Sequence, residues 1–207
     1  MIKAVDILTY TDQFKNPETG EYNSTIYVND SILHASIITA ELFQKARKEL
    51  SRTVNMYCGE FSLFRDEAQR RIKNFKMDCD TTDLSEKQEL QWQAFDPYSN
   101  LQQQITLFLN DDNKGKLNLI IERGLESLKK CSIWKTLKSG MDNNRVKISV
   151  LSNPIGIGHF AVTEEAYRLE DSDDNKTASG CFRDTENANI LNDNFDFLQK
   201  ISEPVCL

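Results

Sequence analysis

Histidine is nearly absent from this chain: His34 and His159 are the only two in 207 residues. Two distant histidines cannot supply the clustered ligands of a zinc site, and the cysteines do not help. Cys58, Cys79, Cys131, Cys181 and Cys206 are scattered, odd in number and without a Cys-x-x-Cys pair. They read as free thiols, mostly buried, in a reducing compartment. Long apolar runs are also missing, and nothing approaches the roughly 20 residues needed to span a bilayer. The opening "MIKAVDILTYTDQ" is interrupted by Lys3, Asp6 and Asp12, so it lacks the apolar centre of a secretion signal. A cytoplasmic protein with no membrane contact is the expectation. No internal repeat and no glycine-rich phosphate loop is present. Positive charge is the scarcer sign: 25 Lys and Arg stand against 32 Asp and Glu, a net charge of −7. Such a chain is a poor non-specific binder of nucleic acid, although a local basic patch remains compatible with it.

What the chain does contain is the composition of a globular protein, with 39% apolar and 28% charged residues. Its length fits one domain over 1–207, with 1–30 as an N-terminal hairpin extension: "KNPETGEYN" reads as a turn between the runs "AVDILTY" and "STIYVN". In "DSILHASIITAELFQKARKELS", Ile32, Ala35, Ile38, Leu42, Ala46 and Leu50 recur at helical spacing, with Asp30 or Ser31 as the cap. His34 falls inside this helix and reads as an ordinary helix residue. "TVNMYCG" is a short buried strand. A helix follows in "EFSLFRDEAQRRIKNFK", and its Arg70, Arg71, Lys73 and Lys76 read first as a solvated face. "MDCDTTDLSEKQE" is a loop, and Pro97 divides the Gln-rich stretch 86–109 into two helices. "NDDNKGK" is a turn and "LNLIIE" a second buried strand. "RGLESLKKCSIWKTLKSG" is one amphipathic helix, with Trp134 toward the core and Gly140 just past its end. "VKISVLS" is a third strand. After "NPIGIG" come a hairpin, "HFAVTE" with "AYRLED", a hydrophilic loop "DSDDNK", a small-residue strand "TASGCF" and a closing helix in "DTENANILNDNFDFLQKIS". Strands alternating with helices give an α/β fold: a mixed, largely parallel sheet with helices on both faces.

The second half carries a resemblance. A strand "VKISVL" ends in a short loop, His159 opens the strand "HFAVTEEAYRLE", the Gly/Ser strand "TASGCF" follows, and a helix closes the chain. This order resembles the active-site half of the phospholipase D-like superfamily, whose motif is His-x-Lys with an aspartate further along. "ELFQKARKELSRTVNMYCGEFS" is similar to the opening helix and strand of that family, so the likeness extends over most of residues 35–201. The motif itself is degenerate. Aligning His159 with the family histidine puts Ala161 where the lysine belongs and Ala166 where the aspartate belongs.

The resemblance implies a site at His159, with catalysis by that residue if the site is active. Arg168, Ser179, Glu60, Ser62 and Arg65 are the candidates for binding phosphate, and no metal or other cofactor is implied. Arg168 either holds a phosphate or pairs with Glu170 or Glu122, because the strand register that decides its face is not readable. Ser179 with Gly180 matches the small pair of the family's strand after the histidine, where backbone can approach a phosphate. Its other reading is a tight crossing in the core. Glu60, Ser62 and Arg65 lie beyond a strand's carboxyl end, where open α/β sheets bind ligands. Two functions follow. One is a pseudo-enzyme: a module binding phosphate, nucleic acid or a protein partner, which the family likeness allows in a bacterial defence system. The other is a homodimeric, metal-independent phosphodiesterase or nuclease that uses His159 from each subunit.

Overall fold

The structure is a computed structural model that describes residues 2–29, 31–60, 62–110, 115–153, 155–171 and 177–206. Its helices, in chain order, are α1 (Ala4–Leu8), α2 (Ile32–Ala46), α3 (Asp66–Met77), α4 (Glu86–Ala94), α5 (Pro97–Asn110), α6 (Leu125–Leu128), α7 (Trp134–Asp142) and α8 (Thr185–Ile201). Its strands are β1 (Tyr27–Asn29), β2 (Thr53–Cys58), β3 (Lys116–Ile121), β4 (Val146–Val150), β5 (Phe160–Val162), β6 (Tyr167–Glu170), β7 (Ala178–Cys181) and β8 (Glu203–Pro204). They form one sheet in the order β1-β7-β6-β5-β2-β3-β4-β8. Most of the turn expected at 110–116 and of the hydrophilic loop expected at 171–176 lies outside the described residues, as does Asp30.

The expected mixed sheet with helices on both faces is present. Its parallel part is confined to β2–β3 and β3–β4, and the other pairings are antiparallel. The reason is connection length. β2, β3 and β4 are joined through helices, whereas β5, β6 and β7 follow one another through links shorter than the dozen or so residues a parallel crossover needs.

The two faces are covered unequally. On one, α2 and α5 pack on each other and on the sheet. Leu42, Phe43, Leu101, Ile105 and Phe108 there meet Val54, Leu117, Leu119 and Val146 in one buried cluster. On the other, Ala188, Leu191, Phe195 and Leu198 of α8 cover Tyr57, Ile120, Phe160, Val162 and Cys181. Each large apolar side chain fully buried this way contributes about 1.5–3 kcal/mol.

Four expectations are corrected. The N-terminal hairpin is not formed: Ala4 and Ile7 of α1, then Tyr10 and Phe14 of a 3-10 turn, are buried at helical spacing. The turn at Asn16–Gly20 does form, with the Gly20 amide donating to the Asn16 carbonyl at 2.8 Å. The second run, however, becomes β1 and pairs with β7. α2 starts at a Ser31 cap, whose hydroxyl accepts from the His34 amide. It stops at Ala46, and Leu50 is 95% exposed. The helix over 123–140 is broken into α6 and α7, and Trp134, at the start of α7, is half-buried. Gly140 lies inside α7, where a Cβ would strike Val146. β8, which pairs with β4, was not expected.

Candidate functional site

Strand register builds the site. Asn29 lies opposite Ala178, and Ala178 opposite Glu170. Glu170 in turn receives His159, its amide donating to the His159 carbonyl at 2.9 Å. The neighbouring row runs Tyr27, Gly180, Arg168, Ala161, Met56. Residues two apart on a strand share a face, so His159, Glu170, Arg168 and Asn29 all look toward the first half of α2. Between them is a cavity of about 610 Å³ at the carboxyl end of β2. Ala161, a small residue, leaves its floor low. A side chain at Gly158 would strike the Glu170 carbonyl, so the small residue before His159 lets β6 approach it closely.

The polar groups form one chain. His159 Nδ1 is 3.0 Å from Glu170 Oε2, and its Nε2 is 3.5 Å from Glu122 Oε1. Tyr57 donates its hydroxyl to Glu122, and its ring meets the imidazole edge-on at 5.2 Å. Arg168 Nη1 reaches Glu170 Oε1 at 3.1 Å. Burial draws the His159 pKa down, but the hydrogen bond and charge of Glu170, together with Glu122, outweigh it and hold the imidazolium above its ordinary range. Burial pushes Glu170 up, and His159 and Arg168 outweigh that and hold it below the usual carboxylate range.

Of the residues singled out from sequence, His159, Arg168, Glu60 and Ser62 line this cavity. Register decides Arg168: it shares the histidine's face and pairs with Glu170. Glu60 joins Arg65 at 2.8 Å to Arg123 at 3.2 Å, which ties the loop after β2 to the loop after β3. Arg65 is thus a strut and does not line the cavity. Ser179 is not brought to the others. Alternation turns it to the opposite face, beside Leu169 and Ile190 of α8. His34, half-buried, stacks on Tyr10 with ring centres 4.3 Å apart.

Sequence reasoning missed Asn29, Tyr57, Arg71 and Arg123 as lining residues and named Glu170 and Glu122 only as partners of Arg168. The signal for Glu170 was available: a tight turn at 163–166 pairs position 159 with position 170. Among the described residues no group of three or more His, Cys, Asp or Glu is placed to hold a metal, and no helix is long and apolar enough to cross a membrane.

No protein-family model matches the chain, and no curated protein matches it in sequence. Its similarities are to solved structures. TrmBL2, an archaeal chromatin protein with a novel mode of DNA binding, superposes with a TM-score of 0.52 at 12% identity over 97% of this chain. The chain spans 60% of the length of TrmBL2. Nuc from Salmonella typhimurium, a phospholipase D family member, superposes with a TM-score of 0.50 at 6% identity, covering 89% of this chain and 100% of Nuc. With the sheet order and its two helical faces, this likeness establishes the fold of the chain as phospholipase D-like.

Proposed function

We propose that the chain is a non-catalytic binding module on a phospholipase D-like fold, taking a phosphate-containing ligand in the cavity at His159. One observation carries this reading: both imidazole nitrogens face carboxylates, Glu170 at Nδ1 and Glu122 at Nε2. A phosphodiester anion approaching Nε2 meets the Glu122 carboxylate, and the like charges repel. Ala161 provides no cation where the family motif has a lysine, and Arg168 is engaged by Glu170. The loss of one electrostatic donor costs about 2.7–4 kcal/mol of transition-state stabilisation, or two to three decades in rate.

A second reading, the homodimeric phosphodiesterase, draws on the same pair. Glu170 at Nδ1 would hold the tautomer that leaves Nε2 as the nucleophile. A place in a bacterial defence system rests on the family likeness alone. Purified protein is expected to show no EDTA-resistant hydrolysis of single-stranded DNA, duplex DNA, RNA or bis(p-nitrophenyl) phosphate. Robust cleavage that His159→Ala abolishes would replace the binding module with the dimeric enzyme.

A further inference from the structure

We propose that the cavity binds a single nucleotide base-inward, with the base against Asn29 and Arg168 and the phosphate outward at Arg71 and Arg123. This rests on the reading of the chain as a binding module and names its ligand.

Two buried polar atoms in the cavity wall lack partners. Asn29 is only 3% exposed, and its Oδ1 accepts no hydrogen bond. Arg168 Nε is also buried and donates to nothing. One is an acceptor and the other a donor, so the group that satisfies both must present a donor and an acceptor of its own. An anion cannot. It would be repelled by the Asn29 oxygen and by Glu170 and Glu122, which already balance His159 and Arg168. A neutral nucleobase edge fits, and amide and guanidinium side chains are the ones that read such edges.

The spacing agrees. Asn29 on β1 and Arg168 on β6 are separated by β7 alone, which puts their strands about 10 Å apart. Both side chains line the one cavity, so a single ring seated there can meet both. Ile32, Ala35 and Met56 supply apolar wall for the ring. A cavity of about 610 Å³ suits one nucleotide and not a duplex.

Charge at the mouth has the opposite character. Arg71 is exposed and has no ion-pair partner among the described residues, and the Arg123 side chain is 74% exposed, held at its Nε by Glu60. A phosphate there gains guanidinium contacts without entering the acidic floor.

The test is calorimetric titration of the whole chain with AMP, GMP, CMP and UMP, the four nucleosides, ribose 5-phosphate and inorganic phosphate. At least one nucleotide is expected to bind tenfold or more tightly than ribose 5-phosphate. Asn29→Ala should weaken that nucleotide and its nucleoside tenfold or more. Asn29→Asp, which keeps the shape, is the second variant if Asn29→Ala melts early. Arg71→Ala, at the surface, should weaken the nucleotide and leave the nucleoside unchanged. An oligonucleotide ending in the preferred base that binds as well as the monomer makes the ligand a strand end; binding of the monomer alone makes it a free nucleotide, and either result supports base-inward binding. If inorganic phosphate or ribose 5-phosphate binds as tightly as any nucleotide, and His159→Ala but not Asn29→Ala removes it, the anion sits at the histidine. Base-inward binding is then overturned while the phosphate-binding module stands. If none of these ligands binds, both are overturned.

Discussion

His159 is held by its neighbours more firmly than a lone histidine in a strand would be. Its pKa is drawn down by burial but raised overall by Glu170 and Glu122. A group whose folded pKa lies above its unfolded value gives its full stabilisation below the unfolded pKa and loses it as pH rises through the folded one. For His159 that loss begins near pH 6.5, roughly the ordinary histidine value. Glu170 acts at the other end. Its lowered pKa gives stability that is present above roughly pH 4.3 and lost as pH falls through the folded value. The pair therefore contributes most in mildly acidic solution. Urea melts of the wild type should show a midpoint that falls above about pH 6.5, and His159→Gln should remove that slope. Parallel curves for the two proteins would mean that the imidazole is not charged in the fold. The place of His159 at the head of a hairpin was legible in the sequence. Its bond to Glu170 was legible only once the turn at 163–166 is taken as tight, because a one-residue change of register turns every side chain of a strand to the other face.

Among the elements, the break between α6 and α7 teaches most. Leu128, Cys131, Ile133 and Leu137 are all buried. In one continuous helix Cys131 and Ile133 would point about 200° apart, so both could not face the sheet. The chain breaks between them and restarts, and Trp134 is left half-buried on the flank of α7. Leu137→Ala should therefore cost about 2–5 kcal/mol, the usual range for a fully buried leucine, and Trp134→Ala should cost less. Chemical denaturation of both variants checks this, and a larger loss at Trp134 would place it in the core. The apolar spacing of Trp134 was readable; the phase slip before it was not. The long periodic elements α2, α5 and α8 and the apolar strands β2, β3 and β4 were readable because burial and local pattern agree in them. The N-terminal segment was misread because short apolar runs suit either period, and Ala4, Ile7, Tyr10 and Phe14 follow the helical one. β8 has two residues and no pattern to read. Ser179 was misassigned for the same reason that Glu170 was missed.

At the scale of the whole molecule the charge balance limits what can enter the cavity. A net charge of −7 and a pI near 5.0 repel polyanions, and at physiological salt that repulsion fades beyond about 8 Å. Attraction must therefore be local, and at the mouth it comes from Arg71 and Arg123. Each phosphate neutralised on a single strand adds about −0.7 to the slope of log affinity against log salt. Two arginines thus give a slope near −1.4, whereas a binder with six to ten phosphate contacts loses about three to five decades between about 50 and 200 mM salt. TrmBL2 shares the fold, but its mode of DNA binding does not come with it at 12% identity. Fluorescence anisotropy with a labelled single-stranded oligonucleotide across that salt range should give the shallow slope, and the same protein should not hold duplex DNA at the upper end. A slope of −5 or steeper, or retention of duplex, would require a continuous basic track. The ion pair of Glu60 with Arg65 argues against one, because it neutralises a cation that such a track would need.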